Sequence, residues 1–129
     1  MRSLFRAALV IALVSSAGVT RPVSAQVKGV AELGLTKPVS KVDGKDVVTT
    51  FKIKNLSKAA IVGLRIDEYW YDKEGNPSPG DTKQLKSLAP GVATPIELRT
   101  PRTANMNRNT YQFSHANGTV TTKVFASLQ

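Results

Sequence analysis

The chain has 129 residues, 18 Lys and Arg against nine Asp and Glu, a single histidine and no cysteine. That length allows one small domain with one core. The lack of cysteine excludes disulfides and a lipid-modified cysteine, and leaves only carboxylates and one imidazole as metal ligands.

Residues 1–25 read as an export signal. Arg2 and Arg6 precede the apolar run AALVIALVSSAGV, which stops at Thr20-Arg21-Pro22. The run is too short for a membrane span, which takes about 20 apolar residues. Val23-Ser24-Ala25 offers the small-x-small cleavage pattern, so a soluble mature chain is expected to begin at Gln26. Cleavage removes Arg2, Arg6 and Arg21 and no acid, leaving 129 − 25 = 104 residues with charge 15 − 9 = +6. Export, to a periplasm or beyond the cell, argues against nucleic acid as the partner. Envelope proteins and anionic envelope polymers suit the basic balance better.

Beyond residue 25 the hydrophobic pattern has period two and lacks helical spacing. A first strand is expected over 28–36, carrying Val30, Ala31, Leu33 and Leu35. VVTTFKIKN (47–55) alternates Val47, Thr49, Phe51 and Ile53 with Val48, Thr50, Lys52 and Lys54, which describes a half-buried strand with a lysine face. Asn55-Leu56-Ser57-Lys58 then supplies a turn. AIVGLRIDEYWYD (60–72) places Val62, Leu64, Ile66 and Trp70 on one face, with Ile61, Arg65, Asp67, Tyr69 and Tyr71 on the other. Glu68 interrupts the apolar stripe, which predicts a bulge or an edge position there.

DKEGNPSPGD (72–81) imitates the opening of a calcium loop, with Asp72, Glu74 and Asn76 at alternate positions. A helix–loop–helix calcium site would need glycine and glutamate where Pro77 and Lys83 stand, so a strand end and a turn describe the segment better. Strands are expected over 82–88 and 93–100, separated by Ala89-Pro90-Gly91 and closed by Pro101. Asn117-Gly118 between alternating runs predicts a two-residue type I′ hairpin pairing Tyr111 with Val124, Phe113 with Thr122 and His115 with Val120. Tyr111, Phe113, Val124 and Ala126 then share a buried face. About seven strands without crossover helices predict an antiparallel immunoglobulin-like β-sandwich over 26–129.

The run from Phe51 to Leu98 resembles the FxLYD domain family, small immunoglobulin-like domains of bacterial and archaeal envelope proteins. The resemblance rests on Lys54-Asn55-Leu56-Ser57, Tyr71-Asp72, Glu74-Gly75-Asn76 and Leu88-Ala89-Pro90-Gly91; Glu68 and Trp70 stand at the family's phenylalanine and leucine. It implies a fold and an envelope setting, and no activity, cofactor or functional residue.

No constellation points to catalysis. Ser114 and His115 are strand neighbours and point to opposite faces, as do Asp67 and Glu68, and His115 is expected at a surface or an edge. The chain therefore reads as a non-enzymatic, cofactor-free binding or structural accessory of the envelope. One alternative is a polyanion-binding module using Arg99, Arg102 and Arg108 of the acid-free stretch 99–110 together with Lys83 and Lys86, since guanidinium forks suit phosphate, sulfate and carboxylate. Another is a regulator or inhibitor of an extracytoplasmic enzyme, presenting the 73–81 loop.

Overall fold

The computed structural model describes residues 25–129, and the expected signal lies outside them apart from Ala25. The fold is all-β. Eight strands follow one another: β1 (Ala31–Thr36), β2 (Val39–Asp43), β3 (Asp46–Asn55), β4 (Ile61–Tyr71), β5 (Pro77–Leu88), β6 (Ala93–Pro101), β7 (Arg108–His115) and β8 (Gly118–Phe125). They form a sheet of order β2-β3-β1-β8-β7-β4-β5, with β6 added to β3. It is mixed, because β1 pairs antiparallel with β3 and parallel with β8. The sheet curls into a half-barrel around one core, so the expected all-antiparallel pairing is corrected at this junction.

The eighth strand is β2, which the sequence pattern did not announce. Gly44, at φ 59°, turns β2 back onto β3, and every residue of β2 is exposed. On β3, Val47, Thr49, Phe51 and Ile53 are buried as their alternation predicts. Val48 is also buried on the opposite face. Lys41 and Arg99 flank it in register, and their aliphatic stems suit covering it. Expected strand 93–100 appears as β6 with Ile96 and Leu98 buried.

Two bulges, one on β4 and one on β5 beside it, interrupt the pairing, and the first sets the facing of β4 residues. Arg65 pairs with Ser114, while the Ala116 amide donates to the Val62 carbonyl, so Gly63 and Leu64 together oppose His115. Gly63 takes φ 63°, a conformation open to glycine at little cost. The bulge inverts the alternation, and Ile61, expected outside, is fully buried beside Leu64. The second bulge lies on the β5 side between Asp67 and Tyr69, where Gly80 and Asp81 oppose Glu68. This is the bulge expected at Glu68; β4 itself is central, between β5 and β7. The remaining strand residues Pro77–Asp81 correct the expected 73–81 loop to a tight turn at 72–76.

The C-terminal hairpin departs from its expected register. His115 pairs with Gly118 and Ser114 with Thr119, so the two-residue connection is Ala116-Asn117. No non-glycine residue has positive φ among the described residues, which removes the type I′ geometry. Pairing ends there because β8 leaves β7 to join β1. Tyr111 and Phe113 pack on the core as expected, whereas Val124 is 65% exposed; Val30 is also exposed, contrary to its expected place in the first strand.

Candidate functional site

Three features concentrate polar chemistry: a buried carboxylate, a buried imidazole and a lysine-rimmed groove. Glu68 is 2% exposed and lies in the β4 stripe between Ile66 and Trp70. Its Oε1 accepts from Trp70 Nε1 at 3.0 Å and from Thr100 Oγ1 at 2.7 Å, and its Oε2 accepts from Asn109 Nδ2 at 3.2 Å. The same amide donates to the Tyr111 hydroxyl at 2.7 Å. Burial, then the neighbouring Glu68 charge, push the Tyr111 phenol up to about 12. A buried carboxylate is tolerated when neutral donors saturate it. Here the donors come from β4, β6 and β7, so the cluster ties the two halves of the curl together. No buried side-chain polar atom among the described residues lacks a partner. The acid is spent on the fold.

His115 is 7% exposed, not at the surface. Its Nδ1 accepts from the Asn117 amide at 3.3 Å, which assigns the proton to Nε2, and Nε2 donates to the Gly29 carbonyl at 2.7 Å. The Thr119 amide donates to the same carbonyl at 3.1 Å. The imidazole thus bolts the β7–β8 turn onto the segment before β1. Asn55, 1% exposed at the same end, donates to the carbonyls of Ala59 and Leu88 and accepts from the Ser57 amide.

Asp72 is equally occupied. Its Oδ1 accepts from the amides of Glu74 and Asn76 at 3.0 and 2.8 Å, and its Oδ2 from Asn76 Nδ2 at 3.1 Å. The Asn76 amide bond, first among these, holds the carboxyl below its ordinary value. The residues that imitate a calcium loop therefore build their own turn.

The five cations singled out by the sequence are not brought together. Arg99 lies on the outer face of β6, 3.0 Å from Asp43, 3.1 Å from Asp46 and 3.6 Å from Glu97. The two aspartates raise its guanidinium further above its ordinary range. Arg108 stacks on the Tyr71 ring at 4.5 Å, and Arg102 is an exposed residue whose amide donates to the Lys45 carbonyl. Lys83 and Lys86 share β5 but line different depressions. Lys86 borders one of about 590 Å³ with Arg65, Ser114 and His115.

Lys83 borders the larger groove, about 730 Å³, on the outer face of β3 and β6. Lys37 and Lys52 join it there, with Val39, Pro95 and Leu128 supplying apolar lining. The groove exists because β1 ends at Thr36 and β2 starts only at Val39. Opposite that break the Lys52 amide is capped by Thr36 Oγ1 at 2.8 Å. None of the ion pairs among the described residues involves Lys37, Lys52 or Lys83. Sequence reading identified Lys52 as outward-facing but had no signal for the break that makes its neighbourhood concave. For Glu68, the interrupted stripe was a signal; Thr100 and Asn109 gave none.

No protein-family profile matches the chain, and no curated protein sequence matches it. Solved structures do. A DUF1425 family member from Shewanella sp. pv-4 superposes with TM-score 0.52 and 16% identity over 65% of this chain and 78% of its own. IrmA from Escherichia coli superposes with TM-score 0.50 and 12% identity over 73% of this chain and 91% of its own. Identities this low establish likeness of fold, that of a small bacterial β-domain.

Proposed function

We propose that the chain is an exported, non-enzymatic binding or structural accessory domain of the cell envelope, built on an immunoglobulin-like sandwich of the FxLYD kind. The observation that carries this reading is the fate of the two buried groups able to do acid–base work. Glu68 is saturated by three neutral donors, and both ring nitrogens of His115 are engaged. General acid–base catalysis requires such a group within reach of a substrate proton. The strand pairings support the sandwich: β3 with β6, β4 with β7, and β1 reaching both β3 and β8. The leader-like residues 1–25 and the +6 charge of 15 − 9 beyond them support an extracytoplasmic setting with anionic partners. Among the described residues no helix is long and apolar enough to cross a membrane.

Expression of the full chain in a bacterial host, followed by fractionation and intact-mass analysis, tests the setting. The expected product is extracytoplasmic and begins at Gln26; full-length chain retained in the cytoplasm would overturn the reading. A pull-down from the envelope fraction then tests the accessory role, with a stoichiometric, salt-sensitive partner expected.

A further inference from the structure

The groove between the C-terminal tail and β6 carries a chemistry that nothing in the interior explains. Lys37, Lys52 and Lys83 line it, none of them in an ion pair among the described residues. The one acid on the rim, Glu97, lies 3.6 Å from Arg99. Between the lysines are Val39, 50% exposed, and Pro95, also exposed. Leu128 closes one end, itself packed near Gly34. Uncompensated like charge around an apolar strip is unfavourable on its own and complementary to a ligand with the opposite pattern.

We propose that this groove is a binding site for an extended acidic peptide segment whose acidic side chains alternate with apolar ones. The inference deepens, and rests on, the reading of the domain as a binding accessory with anionic partners. The groove crosses β1, β3, β6 and the Lys83 position of β5, so its length suits roughly five extended residues at strand spacing. Alternation in such a segment puts carboxylates toward the lysines and apolar side chains toward Val39 and Pro95. The apolar strip favours a peptide over a polyanionic sugar or phosphate polymer, which has no side chains to place there. A second copy of this basic chain is disfavoured by charge. The arginines of 99–108 contribute little, because Arg99 is already held by Asp43 and Asp46 and Arg108 by Tyr71.

The test uses the chain from Gln26 to Gln129, a fluorescent octapeptide of alternating glutamate and valine, and polygalacturonate. Fluorescence anisotropy is measured on the native chain, on Lys37→Glu/Lys52→Glu/Lys83→Glu, and on the charge-matched control Lys58→Glu/Lys86→Glu/Arg102→Glu. All six positions are exposed, so both variants should keep the native circular dichroism. The groove variant is expected to bind the peptide about tenfold more weakly or worse, and the control within about twofold of the native chain. Amide shifts on peptide addition should centre on Thr50, Lys52 and Glu97. Equal losses in both variants would overturn the groove while leaving an anion-binding domain standing. Polygalacturonate binding as tightly, with no loss when valine is replaced by glycine in the peptide, would overturn the peptide in favour of a polymer. No binding of either probe to the native chain would overturn the groove, and the envelope pull-down would then decide the wider reading by itself.

Discussion

The two ends of the core are closed by different means. At one end, Glu68, Trp70, Thr100, Asn109 and Tyr111 form a cluster of side chain–side chain bonds between positions as far as 41 residues apart in the chain. At the other, Asn55 and His115 bond mainly to backbone groups, and glycines let backbones touch. Each end is therefore vulnerable in its own way. The first fails when a donor or acceptor loses its partner inside the protein; the second fails when a Cβ is placed between backbones.

Substitutions sort the two ends by size of effect. Trp70→Ala at the Glu68 end removes the largest buried side chain there and leaves Glu68 short of a donor. We expect a loss of roughly 3–5 kcal/mol in denaturant unfolding. Gly118→Ala tests the other end. A Cβ at Gly118 would collide with the Gly29 carbonyl oxygen, so the β7–β8 turn must move away from the segment before β1. The expected cost is about 3 kcal/mol; a silent Gly118→Ala would show that the backbones do not meet there.

Glu68→Gln keeps the shape and one acceptor but turns an amide toward the Asn109 amide or the Trp70 indole. The expected loss is about 2 kcal/mol, the cost of an unmatched buried polar group. Gly80→Ala provides an independent probe of the same cluster, because its Cβ would lie 2.6 Å from Glu68 Oε1 and 3.0 Å from the Glu68 carbonyl oxygen. It should destabilise by about 1–3 kcal/mol, because Gly80 lies in β5 opposite Glu68 and not in the turn read from the sequence.

The smallest effect is alkaline. The Tyr111 phenol is raised from 10.0 to about 12, so its contribution to stability is complete below pH 10 and is lost as pH climbs through about 12. Ultraviolet titration should show a late-ionising tyrosine that disappears in Tyr111→Phe. The variant's stability should also fall less steeply than the native protein's over that window. Amplitude lost near pH 10 in the variant, with the late step still present, would place the phenol in solvent.

Much of this fold was legible from the sequence, and the failures have local causes. Period-two alternation located β3 and β6, which pair regularly along their length, and buried Trp70, which lies on the stretch of β4 paired without interruption to β7. It misfaced Ile61 because the Gly63 bulge adds a residue opposite His115, a tertiary event with no periodic trace. The Asn117-Gly118 rule failed for a related reason. Gly118 serves close approach to Gly29, and β8 abandons β7 for β1 after two pairs, so no long hairpin exists to select the turn. At the candidate sites, Glu68 announced itself by interrupting an apolar stripe. The lysine groove did not, because it depends on the gap between β1 and β2 and on a C-terminal tail laid beside it.

The interior acid holds the fold, and on our proposal the groove lysines do the binding. Thermal melting of the native chain and of Glu68→Gln, each with and without the glutamate–valine peptide, separates the two roles. Glu68→Gln is expected to melt lower, and the peptide to raise both melting temperatures by the same amount, because ligand bound only to the folded state stabilises according to its own affinity. A peptide-induced rise that vanishes in Glu68→Gln would place the buried carboxylate in the binding site and overturn this division.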